Sequence, residues 1–356
     1  MSDLAPKFDL YMLPADNGDC LWLEYESGDS RMRILIDCGT EDTWHHLKHR
    51  LGELPEDQRH FDLLVITHID DDHIGGALPL LTHWRALGLT FGEVWFNDVE
   101  LISSGDLGVA QGLVLSKLLG GDSELRKVWN RSVGRKALQI PNPREGEGLP
   151  IYEFGELQLT LLSPTKRQLS RLKKKWNDFA ESLAKRKARE PTYSTQAEKK
   201  WLGAGTTTLS AAPRQALDSS VHNGSSIAFL ATYRGVSLLF GADAFPGTIS
   251  KSLTHITPLR QINCYKVSHH GSIANITPRL LSQIGANHYL ISTSGAVHNH
   301  PDIETLDLLT AGGTLKTLHF NYSSDQVRNW IRKNPRSTSR NYLFEFVNAS
   351  NYHVNF

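Results

Sequence analysis

Three cysteines in 356 residues are too few to build a disulfide framework. Cys20 and Cys38 lie in apolar contexts and read as core thiols, which suits a reducing cytoplasm. The opening Met-Ser-Asp-Leu-Ala-Pro-Lys-Phe lacks a basic segment followed by an apolar one, so no signal peptide is expected. No apolar run reaches bilayer-spanning length, so no membrane association is expected either. Net charge is also missing: 38 Lys and Arg balance 38 Asp and Glu, so no whole-chain signal points to nucleic acid. The length still allows a large buried core.

Histidine, in contrast, is plentiful at 16 residues, several of them beside Asp. The densest cluster is His68-Ile69-Asp70-Asp71-Asp72-His73-Ile74-Gly75-Gly76, directly after the apolar run Leu63–Ile66. Such a run reads as a buried strand, and the loop beyond it can bring its imidazoles and carboxylates together. These are the ligands of hydrolytic Zn, Mn and Fe sites. A helix cap at Asp72 would not need two flanking His, and Ca²⁺ prefers oxygen ligands alone.

The N-terminal region reads as antiparallel strands at Phe8–Leu13, Cys20–Tyr25 and Arg33–Asp37. A helix over Thr43–Leu51, the strand Leu63–Ile66, a helix over Ile74–Leu87 and the strand Glu93–Phe96 follow. Helices are expected at Val109–Leu119 and Glu124–Arg131, then a hairpin of Pro150–Phe154 with Leu157–Leu162. Thr165–Arg189 is rich in Lys and Arg on a helical apolar period, and Gly203–Ser219 reads as a flexible loop. Thereafter come a hairpin of Ser226–Tyr233 with Val236–Phe240 and strands at Cys264–Val267, His288–Ser292, Leu315–Phe320 and Tyr342–Phe346. Helices are expected at Pro278–Ile284 and Pro301–Leu309. Both halves share strand pairs followed by strand-loop-helix units, which points to a pseudo-duplicated α/β architecture.

Polar groups recur where these later strands begin or end: His222-Asn223, Asp243, and Ser268-His269-His270-Gly271-Ser272. Together with residues 68–73 they supply the six to eight ligands that two metal ions need, roughly, with one bridging carboxylate.

In order and context these motifs resemble the metallo-β-lactamase fold superfamily, and most closely the hydrolase domain of ComEC-type competence proteins and their free-standing relatives. Asn17-Gly18-Asp19-Cys20 and Leu35-Ile36-Asp37-Cys38-Gly39 resemble that family's opening turn and Leu-Ile-Asp-x-Gly. Residues 68–76 match its His-x-Asp-x-Asp-His-x-Gly-Gly, and Asn223–Ser226 its Asn-x-x-Ser. Residues 238–243 resemble its Leu-Leu-Thr-Gly-Asp, Lys266–Ser272 match its Lys-Val-x-His-His-Gly-Ser, and His300-Pro301 its late His-Pro. Two departures stand: Ala242 is inserted before Asp243, and His222 precedes Asn223, where other hydrolases of the fold place a third His.

The resemblance implies an α/β fold, the αββα sandwich of two mixed β-sheets flanked by helices. One domain would span 1–356, with a helical elaboration at 100–150 and a basic helical and flexible insert at 165–219. It implies two divalent metal ions, Zn or Mn with Mg possible in kind, since Asp70 in place of an imidazole makes the site harder. His68, Asp70 and His222 would hold one ion. Asp72, His73 and one of His269 and His270, with His269 favoured, would hold the other, and Asp243 would bridge. Metal-bound hydroxide would be the nucleophile, oriented by Asp72. Asp37 would support a ligand His or serve only as a turn carboxylate, and Asn223 would lie beside the site. Ser272 would meet a phosphate oxygen or cap its loop. His298 and His300 would act on the substrate as donors or general acid, or cap the helix near Pro301.

The expected function is a metal-dependent phosphodiesterase or nuclease. Lys173, Lys174 and Lys175 on the basic helix are candidate nucleic-acid contacts, although such a helix is often only a solvated face. A small-molecule hydrolase of lactonase or cyclic-nucleotide type is the alternative, as is a catalytically quiet accessory component with protein partners in a bacterial defence operon.

Overall fold

The computed structural model describes residues 8–98, 111–141, 148–175, 216–336, 340–346 and 353–356. The parts of the expected basic helix and flexible loop that fall at 176–215 lie outside the described residues, as do residues 109–110 of the expected middle helix.

The first sheet is built from β1 (Phe8–Met12), β2 (Leu21–Ser27), β3 (Ser30–Ile36), β4 (His60–Ile66), β5 (Thr90–Phe96) and β14 (His353–Asn355), in the order β14-β1-β2-β3-β4-β5. The second holds β6 (Ile151–Phe154), β7 (Leu157–Ser163), β8 (Ala228–Tyr233), β9 (Val236–Phe240), β10 (Cys264–Lys266), β11 (His288–Ile291), β12 (Gly312–Phe320) and β13 (Arg340–Phe346), ordered from β13 down to β6. Both sheets are mixed. Strands β1 to β3 pair antiparallel and then give way to parallel β4 and β5. Strands β6 to β9 pair antiparallel and give way to parallel β10 to β13.

Three apolar layers hold the sheets and helices together. Between the sheets, Leu10, Leu23, Ile34, Val65 and Trp95 of the first meet Leu159, Phe229, Leu238 and Leu290 of the second. Strand β4 shows why this requires an unbroken apolar run: Leu63 and Val65 face the other sheet, while Phe61, Leu64 and Ile66 face helices. On that outer side lie Leu47 and Leu51 of the helix Trp44–Gly52, Leu80 of Ala77–Thr82, and Leu115 and Leu119 of Gln111–Gly121. The second sheet is covered by Ile249 and Leu253 of Pro246–Leu253, Leu280 of Pro278–Ile284, Leu306 of Ile303–Thr310 and Trp330 of Asp325–Lys333. The order of layers is helix, sheet, sheet, helix.

One expected helix is broken. Instead of a run over Ile74–Leu87, there are two short helices, Asp71–Ile74 and Ala77–Thr82. Gly75 and Gly76 sit at the break, pressed against the chain at 38–41. A Cβ on Gly76 would come 2.2 Å from Cys38 O, and one on Gly75 2.6 Å from Glu41 N. The helices Pro246–Leu253 and Asp325–Lys333 and strand β14 were not expected from sequence. Pro246 at the helix start and Ser324, whose side chain accepts from Val327 N, are the local signals that mark those helices. All three cysteines are free and buried, and burial raises each thiol pKa. No helix among the described residues is long and apolar enough to cross a membrane.

Candidate metal centre

Most of the metal-type side chains lie just beyond a strand end, while His222 lies in the short helix Val221–Gly224 that leads into β8. From the first sheet, Asp37 follows β3 and Thr67 follows β4. Thr67 ties the two together by donating from its backbone N and its Oγ1 to the Asp37 carboxylate, at 2.8 and 2.7 Å. Asp37 also accepts from His73 Nδ1 at 2.8 Å, so it aims the opposite nitrogen of that ring. Thr67 Oγ1, its own proton committed to Asp37, accepts from His68 Nδ1 at 3.0 Å.

From the second sheet, Gly241-Ala242-Asp243 follows β9. Ala242 takes a left-handed φ of 43° and its carbonyl accepts from His269 N at 2.9 Å. The inserted residue is therefore accommodated in the turn, and Asp243 points into the centre. Next to β10, His269 and His270 both have left-handed φ, 48° and 54°, which splays their rings to different sides. His269 donates from Nδ1 to Asn275 Oδ1 at 2.8 Å; Asn275 is itself oriented by donating to Asp218 and to Asp243 O. His270 donates from Nδ1 to Ser292 O at 3.0 Å.

The Nδ1 protons of His68, His73, His269 and His270 are thus all committed to acceptors. Four Nε2 lone pairs remain, and all four face Asp243. Its Oδ1 lies 3.6 Å from His73 Nε2 and 3.9 Å from His270 Nε2. Its Oδ2 lies 3.7 Å from His68 Nε2 and 3.7 Å from His269 Nε2. On the Oδ1 side Asp72 Oδ2 is 3.3 Å from His270 Nε2, and on the Oδ2 side Asp70 Oδ2 is 3.6 Å from His68 Nε2.

Between His73 Nε2 and His270 Nε2 the separation is only 3.2 Å. Acceptors facing acceptors at these distances repel unless a proton or a metal cation lies between them. Asp243 Oδ1 and His68 Nε2 are buried without a hydrogen-bond partner. Asp19-His73-His270 and His68-His73-Asp243 each converge closely enough to hold an ion. The residues therefore fit divalent metal ions, with His73 common to both groups.

The electrostatics agree. Burial opposes charge on His270, but Asp243 and Asp19 outweigh it and lift its pKa to about 9. His73 is lifted well above the usual imidazole range in the same way, against burial, by Asp243 and Asp37. Burial pushes the Asp243 carboxyl up, yet His269, His73 and His270 hold it well below the usual carboxylate range. This is a pocket organised around positive charge.

The other sequence candidates take varied places. His222 donates from Nδ1 to Asp70 Oδ1 at 2.8 Å, on the oxygen turned away from His68. Asn223 donates to Asp218 at 2.8 Å, the same Asp218 that orients Asn275. Ser272 is buried, and its backbone N closes the turn onto His269 O at 2.7 Å. His300 and His298 line the approach: the His300 ring lies 5.6 Å from that of His269, and the His298 ring 5.9 Å from His300. Lys173, Lys174 and Lys175 belong to a helical run at 166–175 that follows β7. Sequence reasoning gave no role to Asn17, Asp19, Asp218, Lys266 or Asn275, all of which surround the centre. Asn17, Asp19 and Lys266 do fall within stretches that resemble the family's motifs, and a lysine inside the apolar strand Cys264–Val267 is a further signal.

Residues 14–98 match the family model of the metallo-beta-lactamase superfamily. That segment contains Asp37 and the whole His68–His73 motif, and the four-layer architecture is the αββα sandwich of this fold. No curated protein matches the chain. Among solved structures, the chain is similar to the metallo-beta-lactamase fold protein YhfI from Bacillus subtilis. The two share 10% identity over 98% of this chain and 100% of that one, with a TM-score of 0.46. It is also similar to CmlA, a diiron beta-hydroxylase from Streptomyces venezuelae, at 12% identity over 98% of this chain and 54% of that one, with a TM-score of 0.43. A putative metal-dependent hydrolase from Parabacteroides distasonis shares 10% identity over 85% and 89% of the two chains, with a TM-score of 0.39.

Proposed function

We propose that this protein is a two-metal phosphodiesterase that cleaves nucleic acid in the cytoplasm. The observation that carries the reading is the arrangement about Asp243: two imidazole lone pairs on each of its two oxygens, with one further carboxylate on either side. His68, Asp70, His269 and Asp243 would hold one ion, and Asp72, His73, His270 and Asp243 the other. With Asp70, Asp72 and Asp243 among the donors, the set favours a harder ion such as Mn²⁺ over Zn²⁺, relative to an all-imidazole first site. Two divalent ions at these ligands would polarise a phosphate oxygen and acidify a water.

The chain's own residues do the rest. Asp72 orients the attacking water and accepts its proton at the carboxylate. His222 fixes Asp70, and Asp37 fixes His73, so neither ligand has to reorganise during the reaction. His300, whose Nδ1 lies 3.3 Å from Asp302 Oδ1, is held at the approach to deliver a proton to the leaving oxygen. The choice of a polymeric phosphodiester is supported by the ComEC-type motifs and by the exposed Lys166, Arg167, Arg171, Lys174 and Lys175 on the run 166–175.

The test is incubation with end-labelled single- and double-stranded DNA and RNA in Mn²⁺, Mg²⁺ or Zn²⁺, beside Asp72→Ala. Cleavage that requires metal and falls to background in the variant is expected. No cleavage of any polymer in any metal would overturn the nuclease reading and point to a small phosphodiester or to an enzyme activated by a protein partner.

A further inference from the structure

The turn Asn17-Gly18-Asp19 joins β1 to β2, some fifty residues before the nearest ligand, yet it grips one half of the centre. Asn17 donates from Nδ2 to Asp72 Oδ2 at 3.0 Å. Asp19 N donates to Asp72 O at 3.2 Å. Gly18 lies so close that an added Cβ would fall 1.6 Å from Asp72 O, and its own carbonyl accepts from Ser292 Oγ at 2.6 Å. Ser292 O is in turn the acceptor for His270 Nδ1.

The Asp19 carboxylate completes the contact. Its Oδ1 stands 3.4 Å from His270 Nδ1, the nitrogen opposite the one that faces Asp72 and Asp243, and has no hydrogen-bond partner of its own. Its Oδ2 accepts from Lys266 Nζ at 2.6 Å. Asp19 and Lys266 are each 1% exposed. A buried ion pair is seldom a net source of stability, because apolar residues of similar volume do as well. Its value here is placement: Lys266 cancels the Asp19 charge, so a carboxylate can stand behind His270 without adding to an anionic pocket.

We propose that Asn17, Asp19 and Lys266 form a positioning clamp on Asp72 and His270, and that this clamp sets how tightly the ion on that side of Asp243 is held. The ligands of the other ion, His68, Asp70 and His269, are positioned by Thr67, His222 and Asn275 and do not depend on it. The clamp rests on the two-metal reading of the centre but on no particular substrate.

Mn²⁺ uptake by the metal-free protein, followed by calorimetry and by metal content at equilibrium, separates the two ions. Two variants are compared with wild type: Asn17→Ala, which leaves no buried charge, and the double variant Asp19→Asn/Lys266→Met, which removes both members of the pair together. The expected result is two ions in wild type. In both variants one ion should bind with unchanged affinity and the other roughly tenfold to a hundredfold more weakly. Circular dichroism establishes that each variant is folded; if the double variant is not, Asn17→Ala decides alone. Equal affinities for both ions in wild type and variants, or equal weakening of both ions, would overturn the clamp. A wild type that takes up fewer than two ions would instead overturn the two-metal reading beneath it.

Discussion

A single methyl group at residue 18 would collide with the carbonyl of Asp72. Gly18 does not have a left-handed φ, so the requirement is one of space rather than of backbone freedom. Gly18→Ala is expected to cost about 1–3 kcal/mol of stability as the turn or the His/Asp loop moves aside, and to weaken metal binding along with it. Denaturant unfolding of the metal-free protein measures the first effect, and a stability equal to wild type would show that the contact is not a constraint. At this scale the legibility of the chain was uneven. His68, Asp70, Asp72 and His73 announced themselves because six residues carry four ligand side chains. The sequence favours His269 over His270 as the ligand, whereas both rings face Asp243, because two consecutive left-handed φ angles send them to its opposite oxygens. Asp19 and Lys266 are 247 residues apart, and nothing local to either foretells the pair.

Among the elements, strands β11 and β12 carry a titratable pair of their own. His288 Nδ1 and His319 Nε2 are 3.0 Å apart, and the rings stack at 5.3 Å. One nitrogen must donate and the other accept, so both rings cannot be charged together. Burial first, and His288 second, lower the His319 pKa to about 4, against roughly 6.5 in an unfolded chain. Between those two values the unfolded state binds the extra proton, so this contribution is full above pH 6.5 and is lost as pH falls toward 4. Glu345, whose Oε2 lies 2.9 Å from His319 Nδ1, opposes this loss and reduces its size. Denaturant unfolding at pH 7, 5.5 and 4 should show wild type losing more stability on acidification than His319→Leu does; parallel losses would contradict the assignment. Strands were the most legible elements, because β4 and its neighbours are buried on both faces and read as unbroken apolar runs. The helix expected after the His/Asp motif is too long, because Gly75 and Gly76, packed against the chain at 38–41, break it into two.

At the scale of the whole molecule, the centre draws its ligands from both sheets. His68–His73 follows a strand of the first, and Asp243, His269 and His270 follow strands of the second, so ions bound as proposed would join the two halves across the apolar layer between them. Divalent ions that bind only the folded state should therefore stabilise the entire fold, by about 2.7 kcal/mol for each ion present at 100 times its dissociation constant. Thermal unfolding with and without chelator should show one cooperative transition moving to lower temperature when metal is removed. A transition indifferent to chelator would mean that no ion links the sheets. The repeated plan, antiparallel strands giving way to parallel ones, was visible in the sequence as a shared rhythm of the two halves. Sheet order was not visible, because it is set by contacts between distant segments, such as β14 returning to pair with β1.

That last pairing has a mechanical consequence. Asp9 faces Asn355 and Tyr11 faces His353, and Phe356 N donates to Phe8 O, so the outer ends of β1 and β14 lie side by side. Tension applied to those ends would open the three-residue strand β14 bond by bond, as a zipper opens, instead of shearing all its bonds at once. The first rupture would be a low-force event that strips one edge from the first sheet and leaves the strands that carry the ligands in register.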